Sequence, residues 1–162
     1  MDIERLARDA VDAAKACGVT LVTAESCTVG AVANALSRVP GAGDFLEGGF
    51  VTYTKNMKSR ALGVPAALLR EKTAVCAEVA EAMALGALQH SPAKAALAVT
   101  GVAGPKPDED GNPVGLVFCC AVRAGETPLV ARFEFKDKTP DGIVEAAVCE
   151  GLRLLKRVCS AA

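Results

Sequence analysis

At 162 residues and 51% hydrophobic content the chain has the size and apolar fraction of one domain with a sizeable core, residues 1–162. An aromatic fraction of 4% with no Trp excludes a stacking platform for single-stranded bases. Eighteen basic against 19 acidic residues give a net charge of -1 with no basic run, so the footprint of a nucleic-acid binder is missing.

The predicted elements run as follows. Asp2 to Ala14 carries Ile3, Leu6, Ala7, Ala10 and Val11 at helical spacing, and Gly18 reads as its terminator. "VTLVTA" (19–24) is an apolar, β-branched strand, and "CTVGAVANALSRV" (27–39) is the next helix, ending before Pro40-Gly41. "GGFVTYT" (48–54) is a second strand, "KNMKSRALG" (55–63) a short helix, and "PAALLREKT" (65–73) a further turn or helix opened by Pro65. Ala77 to Ser91 is a helix, and "AALAVTG" (95–101), apolar almost throughout, is a central strand. A polar loop, 102–113, leads to "VGLVFCCAV" (114–122) and "TPLVARFEF" (127–135), two strands joined as a hairpin through "RAGE". The last helix runs from about Pro140 to Cys159, with Ile143, Ala147, Leu154, Leu155 and Val158 turned inward. This order implies a single three-layer α/β/α domain of the α/β class, with a mixed, mainly buried sheet.

The seven cysteines include no C-x-x-C pair and sit mostly in apolar periodic segments. They read as free thiols of a reducing compartment rather than disulfides. The charged start "MDIERLARDAVDAA" lacks the apolar core of a signal peptide, and no apolar run reaches the roughly 20 residues needed to span a bilayer. The expectation is a cytoplasmic protein with no membrane partner.

Ligands of open α/β sheets collect beyond the carboxyl ends of strands, which singles out three loops. The first is Glu25-Ser26-Cys27-Thr28, where a serine at a helix start can attack a carbonyl while nearby amides hold the developing charge. The same residues equally suit a helix cap, the commoner use of Ser and Thr in such a place, and the tetrapeptide alone leaves both open. The second is "VTYTKNMK", where Tyr53 is followed by Lys58. A serine needs a base, and the single histidine, His90, stands late in a helix. A lysine serves instead if burial leaves it neutral, with Tyr53 as a hydrogen-bonding relay; otherwise Lys55 and Lys58 are solvated charges. The third is "TGVAGP", Thr100 to Pro105, whose Thr100 and Gly101 follow the central strand directly, and whose glycines admit a close ligand.

Other signals carry less. "SPAK" (Ser91 to Lys94) matches S-x-x-K but leads into a strand instead of opening a helix. Cys27 is an alternative nucleophile, since a helix N-terminus would lower its pKa. Asp108 to Asp110 read as solvated acids or a weak cation site, and no His/Cys set has zinc spacing.

Taken in order, "TAESCT.G", "GGFVTYT..MK..LGV", "AVTG.AGP" and "PVG.V" resemble the CinA carboxy-terminal domain family from about Thr23 to the last helix. The resemblance implies nicotinamide mononucleotide deamidation, with no metal and no cofactor. It implies Ser26 as nucleophile, Lys58 as its base and Tyr53 close by. It also implies a substrate-binding set of Glu25, Cys27, Thr28, Thr100 and Gly101, with amides near Cys27 and Thr28 as oxyanion donors. A small-molecule nucleotide as partner, a homo-oligomer and a stand-alone form are implied in the same way.

Four departures stand beside the matches. Val29 replaces the first glycine of the usual pair after E-S-C-T and would crowd the nucleophile. Pro40-Gly41-Ala42-Gly43 replaces P-G-S-S, Lys106-Pro107-Asp108-Glu109-Asp110 replaces a glycine-rich loop, and no arginine opens the last helix. Lys136 or Lys138 would stand in for those arginines as point charges. The alternatives are a Ser/Lys hydrolase of another small amide and a non-catalytic relative that binds a nucleotide or a protein.

Overall fold

In the computed structural model, which describes residues 2–160, α1 (Ile3–Cys17) opens the chain. Met1, Ala161 and Ala162, the ends of the single-domain reading, lie outside the described residues. Asp2 caps α1 by accepting from the Arg5 amide at 3.0 Å, and Gly18, at φ 65°, ends it. There follow β1 (Leu21–Glu25), α2 (Ala31–Ser37), a 3-10 turn over Ala42–Asp44, β2 (Leu46–Val51), α3 (Lys55–Leu62) and α4 (Ala66–Glu71). The chain continues through α5 (Ala77–Gln89), β3 (Ala95–Gly101), β4 (Leu116–Arg123), β5 (Leu129–Glu134) and α6 (Pro140–Ser160).

The strands form one five-stranded sheet in the order β2-β1-β3-β4-β5. The β2, β1 and β3 strands are parallel, and β4 and β5 run antiparallel to their neighbours, so the sheet is mixed as expected. Period-two alternation divides the core. Leu21, Leu97, Val99, Val117 and Cys119 pack with residues of α1, α2 and α6, whereas Val22, Ala24, Ala96, Ala98 and Cys120 pack with residues of α3, α4 and α5. Helices thus cover both faces, and the three-layer α/β/α architecture holds.

Small residues let the layers close. A Cβ on Gly86 of α5 would lie 2.0 Å from the Leu62 carbonyl oxygen of α3, so only glycine permits this approach between the two helices. That contact seats the helix bearing Lys58.

Two boundaries differ from the sequence expectation where it matters. The second helix begins at Ala31, four residues later than expected from Cys27, because Val29 (φ 46°) and Gly30 (φ 88°) take left-handed backbone and make 26–30 a turn. The second strand ends at Val51 instead of Thr54, since Thr54 leaves the sheet to cap α3 by accepting from the Met57 amide at 3.1 Å. Because β1, β2 and β3 are parallel, their carboxyl ends share one edge of the sheet, and the three singled-out loops meet there.

Candidate active site

Glu25 ends β1 with its side chain 1% exposed. Its carboxylate accepts four hydrogen bonds: from Thr23 Oγ1 (3.0 Å), Thr28 Oγ1 (2.8 Å) and the amides of Val32 (2.9 Å) and Ala33 (3.0 Å). The last two are unpaired donors of the first turn of α2, where a negative charge also meets the positive end of the helix. Glu25 therefore fastens the turn that carries Ser26 to both the strand before it and the helix after it. The Ser26 amide adds a bond to the Val99 carbonyl (2.9 Å), tying the turn to the central strand.

Lys58, on α3, is 1% exposed, and its Nζ lies 2.8 Å from Ser26 Oγ. Nζ also donates to the carbonyls of Thr52 (2.9 Å) and Tyr53 (3.3 Å). These three oxygens are neutral, and among the described residues no carboxylate pairs with the amine. Burial accordingly pushes the lysine down to about 8, against a small opposing pull from Cys27. The expectation of a buried lysine beside the serine is met in the geometry. The exposed alternative for Lys58 is not, although Lys55 does reach solvent.

Cys27 behaves otherwise than expected for a thiol at a helix start. Burial pushes it up to about 12, and the helix starts only at Ala31, so the thiol stays protonated at neutral pH. Tyr53 is 70% exposed, and its backbone carbonyl, rather than its phenol, accepts from Lys58. Thr100 is buried and its Oγ1 donates to the Ala74 carbonyl at 2.7 Å. A Cβ on Gly101 would meet Val117 Cγ2 at 2.7 Å, so a larger residue would disturb the pocket wall.

Ser26, Cys27, Lys58, Thr100, Gly101 and Tyr53 line one cavity of about 630 Å³. The side chains of Glu25 and Thr28, both expected to bind substrate, bond each other, Thr28 Oγ1 donating to the Glu25 carboxylate at 2.8 Å, and neither residue is among those lining the cavity. A larger groove of about 820 Å³ lies between α1, α2 and α6 and contains none of these residues. Among the described residues, no group of three or more His, Cys, Asp and Glu could hold a metal ion. Nor is any helix among them long and apolar enough to cross a membrane.

The departures fall out unevenly. Val29 is 59% exposed and lines no part of the cavity, so the expected crowding of Ser26 is replaced by backbone strain at a positive φ. Lys136 and Lys138 are absent from the lining too, and Lys136 pairs instead with Glu134 at 3.6 Å. His90 closes α5 with its Nδ1 2.8 Å from the Gly86 carbonyl, and Ser91 Oγ donates to the Ala87 carbonyl at 2.7 Å, leaving "SPAK" a helix end.

Sequence reasoning missed the work of the acidic loop. Asp110 accepts from Lys55 Nζ (2.9 Å), Thr73 Oγ1 (3.1 Å) and the Ala74 amide (3.4 Å). Asn112 Nδ2 donates to Thr73 Oγ1 (2.7 Å) and to Asp108 Oδ2 (2.8 Å). Partners 36 to 55 residues apart leave no signal in a single chain of letters.

A three-layer α/β/α domain with a buried serine–lysine pair at its strand exits is the class that fold and site define together. The chain belongs to the CinA family: the family model described as the CinA C-terminal domain matches residues 3–159. It is 49% identical over 98 residues to the nicotinamide-nucleotide amidohydrolase PncC of Pseudomonas putida, covering 60% of this chain and 61% of that protein. It is 50% identical over 109 residues to a CinA-like protein of Geobacter sulfurreducens, covering 67% of this chain but 26% of that protein. The match thus spans about a quarter of the length of the Geobacter relative. The crystal structure of the competence/damage inducible protein CihA from Agrobacterium tumefaciens superposes with a TM-score of 0.93 at 37% identity, covering 98% of this chain and 96% of that one.

Proposed function

We propose that this protein hydrolyses the carboxamide of nicotinamide mononucleotide, giving nicotinic acid mononucleotide and ammonia, through Ser26 and Lys58. The observation that carries this reading is the 2.8 Å separation of Lys58 Nζ and Ser26 Oγ in a buried setting that favours the neutral amine. The name of the Pseudomonas relative supplies the substrate.

Ser26 Oγ attacks the carboxamide carbon as Lys58 takes its proton. The amides of Cys27 and Thr28 make no hydrogen bond among the described residues, and they are the donors available to the oxyanion. The tetrahedral intermediate collapses by breaking the C–N bond, and Lys58 returns the proton to the departing ammonia. Water, deprotonated by the same lysine, attacks the acyl carbon. The C–O bond to Ser26 breaks, releasing the carboxylate and restoring the serine. Thr100 and Gly101 shape the wall against which the substrate lies, and the exposed Tyr53 ring forms part of the mouth. The setting belonging to this reading is cytoplasmic and homo-oligomeric.

Ammonia release from nicotinamide mononucleotide by the protein, beside Ser26→Ala, Lys58→Ala and Cys27→Ala, tests the proposal. Turnover should vanish in the first two variants and persist in the third. An inactive parent protein, or a Ser26→Ala variant that keeps its activity, would refute it.

A further inference from the structure

The cavity is lined by three lysines and no arginine. Lys58 is buried against Ser26, and Lys55 is held by Asp110 at 2.9 Å and Glu109 at 3.5 Å. Lys106 is exposed and makes no hydrogen bond or ion pair among the described residues. It is the one uncommitted cation of the lining.

The loop that carries it is fixed at its far end. Asp110 bonds Lys55, Thr73 and Ala74, while Asp108 accepts from the amides of Asp110 (3.0 Å) and Asn112 (2.8 Å) and from the Asn112 side chain. These bonds engage the carboxylates of Asp108 and Asp110 in holding the loop, while Glu109, also in the lining, faces Lys55 at 3.5 Å. Lys136 and Lys138, the other candidates for reading an anion, lie outside the lining.

We propose that Lys106 is the specificity-determining residue of the site, taking the anionic phosphate end of the substrate while Ser26 and Lys58 work on the amide end. This rests on the pyridine-nucleotide reading above. A charge-assisted hydrogen bond from a lone lysine to a phosphate oxygen amounts to roughly a ten- to hundredfold gain in affinity. A nucleotide and the matching nucleoside should therefore differ in binding through this one side chain.

The experiment uses calorimetry on a Ser26→Ala background, which removes turnover, with nicotinamide mononucleotide and with nicotinamide riboside, the same molecule without its phosphate. The nucleotide should bind more tightly than the riboside. Lys106→Ala should weaken nucleotide binding roughly ten- to hundredfold and riboside binding by less than about twofold, with Lys106→Arg retaining the preference. Unchanged nucleotide binding in Lys106→Ala, or equal loss for both ligands, overturns the assignment and leaves the amide reading standing. Failure of both ligands to bind, with no turnover in the parent protein, sinks the pyridine-nucleotide reading and the assignment with it.

Discussion

If the neutral form of Lys58 is the base, raising the pH should switch the enzyme on over a defined window. Burial brings the lysine to about 8, so about one tenth is neutral at pH 7 and about nine tenths at pH 9. Values of kcat/KM for ammonia release from nicotinamide mononucleotide should rise roughly tenfold across those two units and then level off. The phosphate of the substrate has a second pKa near 6 and is ionised throughout, so it adds no slope above pH 7. An ordinary lysine near 10.5 would instead leave about 3 parts in 10,000 neutral at pH 7, and the rate would still climb about eightfold between pH 9 and 10. Cys27→Ala should not raise the midpoint, since the pull of Cys27 on Lys58 acts upward. Stability gives an independent readout. The folded pKa lies below that of the unfolded lysine, so between pH 8 and 10.5 the unfolded chain binds more protons and stability rises with pH. The rise is roughly 3 kcal/mol across the window, and its difference from Lys58→Met in denaturant titrations isolates this group. A flat rate profile from pH 7 to 9, or one still climbing severalfold between pH 9 and 10, would refute the argument.

Three further outcomes follow from single side chains. Glu25→Gln replaces an acceptor of four hydrogen bonds by a group that can accept at only one oxygen, and should cost about 3 kcal/mol in chemical denaturation; a loss under about 1 kcal/mol would deny Glu25 its role in holding the turn. Thr52 Oγ1 is buried without a partner while the Thr52 carbonyl serves Lys58, so Thr52→Val should stabilise by about 1 kcal/mol with activity retained. Val29→Gly should raise stability by about 1 kcal/mol, relieving a β-branched residue at φ 46°, and a lower Tm in that variant would count against strain at the position.

The letters reveal the layers well and the turns less well. Period-two runs such as Leu97 to Val99 and helical runs such as Leu6 to Val11 bury by local rules, so strand and helix identity survive translation into three dimensions. The start of α2 does not, because nothing local announces that a valine will take a left-handed conformation at 29. Ser26 and Lys58, 32 residues apart, became a pair on paper only through the ordered motifs; periodicity alone left Lys58 a solvated charge. Glu25 enters the substrate set only through the resemblance, and its four donors, two of them amides of the following helix, are visible only in three dimensions. The Asp110 clamp depends on contacts with Lys55, Thr73 and Ala74 that no local pattern encodes.

The placement of Glu25 bears on the chemistry in a way its distance from the cavity conceals. A lysine is depressed by burial only if no anion compensates it, and a carboxylate within about 4–6 Å would restore the charged form. Glu25 is next to Ser26 in the chain, yet its carboxylate makes no hydrogen bond or ion pair with Lys58. The four donors hold that carboxylate against the start of α2. Lys58 is left with one hydroxyl and two carbonyls. The fold thus gives its buried carboxylate two hydroxyl and two amide donors and leaves the Lys58 amine without an anionic partner among the described residues, which is the condition a lysine must meet to accept a proton from serine near neutral pH.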